Sequence, residues 1–197
     1  MIIIIILVSV STAVVEFFVE GALTVVFYSY AFIVPMIVLV PHVLYAASRR
    51  FRERISGDWL LWIDRLAFGV IIINIPGSIY FHDVGIQYDR FIHFGSAFGA
   101  FLIYMFLFIA FRHLFANRSI NIGRILGISF FVLFVGLFIW EGFQFRLDQL
   151  LGTRLFFDAA QSIEVDFWED ILFGFLGLVA ALFYASHSFK RLLSVLK

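Results

Sequence analysis

The residues of this chain best suited to chemistry gather near three candidate helix ends. In YDRFIHF, Asp89 and His93 stand four apart and so share one face of a helix, which continues through the small residues Ser96, Ala97 and Ala100. In WEGFQF, Glu141 and Gln144 are three apart, with Asp148 one turn beyond on the same side. In DFWEDILFGFLG, Asp166, Asp170, Gly174, Gly177 and Ala181 share a face, acidic at one end and small below it. Carboxylates around a histidine suit a hard or borderline divalent cation such as Mg²⁺, Mn²⁺ or Zn²⁺, able to clamp a phosphate and activate water. The candidate ligands are Asp89, His93, Glu141, Asp166 and Asp170. Without a metal, His93 or Glu141 suits a general base and Asp170 completes the catalytic candidates, while Arg90 and Gln144 are placed to hold a phosphate-bearing substrate.

These groups need elements to position them, and composition says which kind. Of 197 residues 63% are hydrophobic and 14% charged, far from the roughly 25% charged of soluble domains. The mean hydropathy is +1.03, so the expected solvent is a bilayer. A span needs about 20 mainly apolar residues. Six such stretches occur, near 2–19, 22–47, 59–81, 88–111, 125–145 and 166–189. The expectation is an all-α polytopic membrane protein, a single domain over 1–197 with six transmembrane helices in one bundle. The first stretch reads as a helix rather than a signal peptide, because no Lys or Arg precedes its isoleucine run and no clear cleavage site follows.

Charge orients the bundle. Arg49, Arg50, Arg52 and Arg54 follow the second stretch, Arg112, Arg118 and Arg124 the fourth, and Lys190, Arg191 and Lys197 the sixth. With six spans all of these fall on one side, which predicts a multi-pass cell-membrane protein with both termini cytoplasmic. The other side is acidic, and alternation of helix direction brings the start of the fourth and sixth helices and the end of the fifth to one depth. The longest connection, 146–165, contains LLGTRLFFDAA, apolar enough to lie at the interface or re-enter the protein.

Function and scaffolding both remain open at these residues. Ionisable groups at membrane depth are costly and therefore functional candidates. Acidic groups near helix starts are also ordinary partners of the helix dipole, which covers Asp89 and Asp166 but not Glu141, placed one turn inside a C-terminal end. A structural network would use Arg90 or Arg146 as counter-ion. Asp64 and Arg65 read as a mutually satisfied pair, and His42, His82, His113 and His187 as interfacial side chains. Zero cysteines remove thiolate chemistry, and no phosphate-loop, dinucleotide or nucleophile-elbow motif occurs. A formal net charge of zero leaves no electrostatic case for a nucleic-acid partner, so membrane lipids are the expected partners.

The pieces YDRFIHF (Asp89, Arg90, His93, Phe94), WEGFQF (Glu141, Gln144) and DFWEDILFGFLG (Asp166, Asp170, Gly177) resemble, in order and spacing, the VanZ-like group of small polytopic proteins and the related YjdF-type inner-membrane proteins. The resemblance covers roughly residues 83–185. Where the family pattern has an Asn after the last Asp, this chain has Gly174. The resemblance implies association with the cell envelope, VanZ-type proteins being linked to glycopeptide resistance, and supplies no reaction. The leading expectation is a polar site at the outer-leaflet ends of helices four to six that binds or modifies a lipid or envelope phosphate headgroup. The alternatives are a transporter or proton-coupled channel, disfavoured by the few polar residues on the inner half, and a non-catalytic structural or partner protein.

Overall fold

The computed structural model describes residues 1–20, 29–76, 88–115, 121–151 and 162–193, and these are helical, with no strand among them. Helix α1 spans Ile2–Glu20. A π-helical turn, Ser29–Ile33, runs into α2, Val34–Ala47, which carries Pro41. The short α3, Arg49–Arg54, leads to α4, Gly57–Pro76. The three long helices are α5, Asp89–Phe115, α6, Ile122–Leu151, and α7, Ile163–Leu193.

Among the described residues, four segments are long and apolar enough to cross a membrane: Tyr30–Ala47, Asp89–Arg112, Ile122–Leu147 and Ile163–Ser188. The chain is thus an all-helical membrane protein. Of the other two expected spans, α1 offers a shorter apolar run, Ile2–Val15, and α4 carries Asp58, Asp64 and Arg65. The helix expected at 22–47 begins, and that expected at 59–81 ends, outside the described residues. The fifth expected helix, 125–145, extends further at its C-terminal end: α6 continues to Leu151, and α7 starts at Ile163. Arg146 is charged yet a good helix former, as are the Leu and Gln that follow, and they carry α6 onward. The expected connection 146–165 is accordingly helical at both ends, and residues 152–161 of its apolar segment lie outside the described residues.

The bundle is held most closely where α5 packs along α7, with α6 against α7 and α4 against α5. Its main core joins Trp59 and Ile63 of α4, Phe101, Met105, Phe106 and Ile109 of α5, Ile125 of α6, and Leu178 and Ala181 of α7. The crossing of α5 and α7 depends on Gly177, where a Cβ would overlap the backbone carbonyl of Phe94. Only a residue without a side chain lets two backbones come that close. A second core, with Ile5, Ala13, Tyr30, Val38, Ala67 and Ile71, fastens α1 and α2 to α4. Large apolar side chains such as Phe18, Phe131, Ile139 and Phe183 point outward, the inside-out surface expected of a chain solvated by lipid.

Candidate functional site

His93 stands one turn into α5 and is the centre of the site. Its Nε2 lies 3.4 Å from Asp89 Oδ1, the i, i+4 neighbour on its own helix, and 3.3 Å from Asp170 Oδ1 on α7. Its Nδ1, on the other side of the ring, lies 3.4 Å from Glu141 Oε1 on α6. Three helices thus place a carboxylate against one imidazole. Alternating helix direction explains the depth, and the Gly177 crossing one to two turns below explains how α5 and α7 come near enough.

Burial is uneven. The Glu141 and Asp170 side chains are 4% and 5% exposed, His93 17% and Asp89 30%, so the site opens on the Asp89 side. An imidazolium offers one positive charge to three carboxylates. The excess of negative charge has to be met by protons or by a cation, since like charges at these distances cannot all remain ionised in a low dielectric. Asp166, one turn nearer the start of α7, is buried and adds its own field at Asp170.

The distances also bear on a metal. Separations of 3.3–3.4 Å are long for hydrogen bonds. Two ligands of a tetrahedral ion at about 2.1 Å stand about 3.4 Å apart. One donor atom each from Asp89, His93 and Asp170 lies within 4.8 Å of the others. Glu141 faces the opposite ring nitrogen, the position from which a carboxylate orients a ligating histidine.

Arg90 is placed differently from the expectation. Its Nη2 and Nε donate to Glu169 Oε1 and Oε2 at 2.7 and 3.1 Å, and its guanidinium lies over the Phe173 ring, 5.5 Å from the centroid. It ties α5 to α7 beside the cluster and is balanced by Glu169, neighbour of Asp170. Arg146 is exposed and donates to Gln149, so neither arginine is counter-ion to His93's carboxylates. Gln144 is half-buried one turn past Glu141 and makes no hydrogen bond among the described residues. Glu141 lies ten residues before the end of α6, which places it beyond the reach of the terminal dipole, an effect confined to the last turn. The Asp148 side chain lies outside the described residues.

Two polar contacts escape the sequence. Asn74 Nδ2 donates to Ser96 Oγ at 2.8 Å, linking α4 to α5 one turn below His93. Asp64 is not paired with Arg65; its Oδ1 meets His42 Nε2 at 2.8 Å, joining α2 to α4. Adjacent helical residues point about 100° apart, so an i, i+1 pair was the wrong pairing for a buried carboxylate. His42 is correspondingly a partner of that carboxylate rather than an interfacial anchor.

Fold and site together define a helical membrane protein with a histidine-centred carboxylate cluster at one end of its bundle. No protein-family model, no curated protein and no solved structure matches the chain.

Proposed function

We propose that this chain is a six-span membrane protein of the VanZ-like type, with both termini cytoplasmic, whose His93 cluster binds a divalent cation at the outer-leaflet end and through it the phosphate of a lipid or envelope headgroup. The observation that carries this reading is the charge imbalance around His93: three carboxylates at 3.3–3.4 Å from a single imidazole. Asp89, His93 and Asp170 form the ligand set, Glu141 orients the ring, and the exposed side of Asp89 admits the headgroup. A cation there would offset the charge of the carboxylates and attract a phosphate. A divalent ion held by Asp89, His93 and Asp170 would supply Lewis-acid chemistry toward a phosphate, and Glu141 would orient the imidazole. Arg90 contributes by holding α5 to α7 rather than by holding phosphate.

A second reading, proton-coupled transport, gains one observation: the His42–Asp64 pair is a polar step on the other half of the bundle. Between Asn74 and Asp64, however, α4 presents the buried apolar residues Ile71 and Ala67, which interrupt a path.

The deciding experiment titrates the purified protein with Zn²⁺ and Mn²⁺ while bound metal and melting temperature are recorded. Retention of phosphatidic acid in nanodiscs is then compared with and without chelator. A single bound ion that raises the melting temperature, is lost in Asp170→Asn and is needed for phosphatidic acid retention supports the reading. A wild type that binds no metal, beside an Asp170→Asn variant that melts lower and retains no less lipid, leaves a structural network instead.

A further inference from the structure

The opposite end of the bundle carries the other concentration of charge. Helix α3 has two faces: Phe51 and Ile55 are buried in the core cluster that holds Leu114 of α5 and Ile125 of α6, while Arg49, Arg50 and Arg52 are exposed. Ser48 caps its start by accepting from the Phe51 N–H at 3.2 Å. Arg54 Nη1 donates to the Leu114 carbonyl at 3.4 Å, which holds α3 over the last turn of α5. In that turn stands Arg112, whose Nε is buried with no hydrogen-bond partner among the described residues. Buried polar groups are nearly always partnered, and a guanidinium nitrogen costs more than most to leave alone.

The nearby acids do not supply that partner. Glu53 of α3 is taken by Arg49, at 2.7 Å, and Asp58 sits in the first turn of α4. Exposed Arg124, in the first turn of α6, adds further positive charge. Arg112 also ends the apolar segment Asp89–Arg112, where hydrocarbon gives way to headgroups. Its neighbour Phe111 is 60% exposed and offers apolar surface to an acyl chain. Those two neighbours, a basic group at headgroup depth and an exposed ring beside it, match an amphiphile better than a free anion.

We propose that Arg112, beside Arg54, holds the phosphate of an anionic lipid headgroup at the arginine-rich end of the bundle. The guanidinium fork meets phosphate oxygens, and the headgroup bridges α3 to α5. At 1.5 Å per residue Arg112 lies about 28 Å along α5 from His93. This lipid needs no metal and is separate from the His93 site.

The test places the whole protein in phosphatidylcholine nanodiscs with or without phosphatidylglycerol, in the presence of chelator, and reads the melting temperature. Phosphatidylglycerol should raise it by a few degrees in wild type. Arg112→Gln should lose most of that rise, with an affinity about fivefold weaker, the equivalent of roughly 1 kcal/mol for one basic group near anionic lipid. Arg112→Lys, which keeps the charge without the fork, should fall between, and Arg49→Gln should behave as wild type. Equal rises in wild type and Arg112→Gln overturn the proposal. Equal losses in Arg49→Gln and Arg112→Gln also overturn it, since they mean diffuse attraction without a site. Inorganic phosphate reproducing the rise in detergent overturns the lipid assignment. Should Arg112→Gln not fold, native mass spectrometry of wild type decides: preferential retention of phosphatidylglycerol over phosphatidylcholine supports the site, and equal retention overturns it.

Discussion

Among the described residues, two histidines meet buried carboxylates, and they do so in opposite ways. His42 and Asp64 form a one-to-one pair at 2.8 Å, a normal charge-assisted hydrogen bond between α2 and α4. His93 faces Asp89, Glu141 and Asp170 together, each at 3.3–3.4 Å and none at the closer distance. In the first case supply equals demand, and the pair needs nothing more to be stable. In the second, one imidazole is shared among three carboxylates, so the excess of negative charge has to be met by protons or by a cation. A balanced pair is a fastening; the three-carboxylate cluster is the arrangement on which the proposed cation site rests.

The largest effect should come from breaking the balanced pair. His42→Ala strands a carboxylate that is 5% exposed, at a cost of about 3–5 kcal/mol, and the loss should be the same with and without divalent metal. Thermal melts of the purified variant, with and without Zn²⁺, check both the size and the indifference to metal. A metal-dependent loss would mean that the two sites are coupled, and the contrast between them would fail.

Gly177→Ala should act on the other region alone. The added Cβ meets the Phe94 carbonyl, so α7 must move away from α5, at about 1–3 kcal/mol. Moving it opens the gap between Asp170 and His93, and metal binding should be lost while cross-linking of cysteines introduced at 42 and 64 stays as in the parent. Retained metal binding with a normal melting temperature would show that the crossing does not set the cluster.

A matched pair of substitutions sharpens the comparison by sign. Asp64→Asn weakens a satisfied bond and should destabilise by about 1–3 kcal/mol. Asp170→Asn removes one of three crowded charges and should leave metal-free protein equally stable or more so, by up to about 1 kcal/mol, while abolishing the gain in melting temperature on adding metal. Denaturation of both variants in chelator reads this directly. If both lose stability equally, the cluster is a fastening like the other.

The smallest effect calibrates the rest. Ser129 is fully buried on α6 and its hydroxyl has no partner among the described residues. Ser129→Ala should be neutral or stabilising by roughly 1 kcal/mol, because it removes a polar group that gains nothing from burial. A clear loss of stability there would point to a partner for the hydroxyl and lower the weight given to unpaired groups elsewhere in the bundle.

Much of the cluster could be read before the fold. The four-residue spacing of Asp89 and His93 and of Asp166 and Asp170 needs only helical periodicity, and opposite helix directions are enough to bring Glu141 to their depth. The pairing partners could not be read that way. Glu169 stands one residue before Asp170, yet it faces Arg90 and removes that arginine from the cluster. His42 and Asp64 are separated by 22 residues, and local spacing drew Asp64 toward Arg65.

Hydropathy and a period of 3.6 residues are local properties of the chain, so the solvent, the helical class and the faces that carry charge follow from the residues alone. Only the tertiary structure decided which charges share a partner. A contact between helices depends on their crossing, rotation and separation, and at Gly177 that separation is set by the absence of a single side chain. The difference between a one-to-one pair and a three-carboxylate cluster rests on a few ångströms of helix placement, which no spacing along the chain contains.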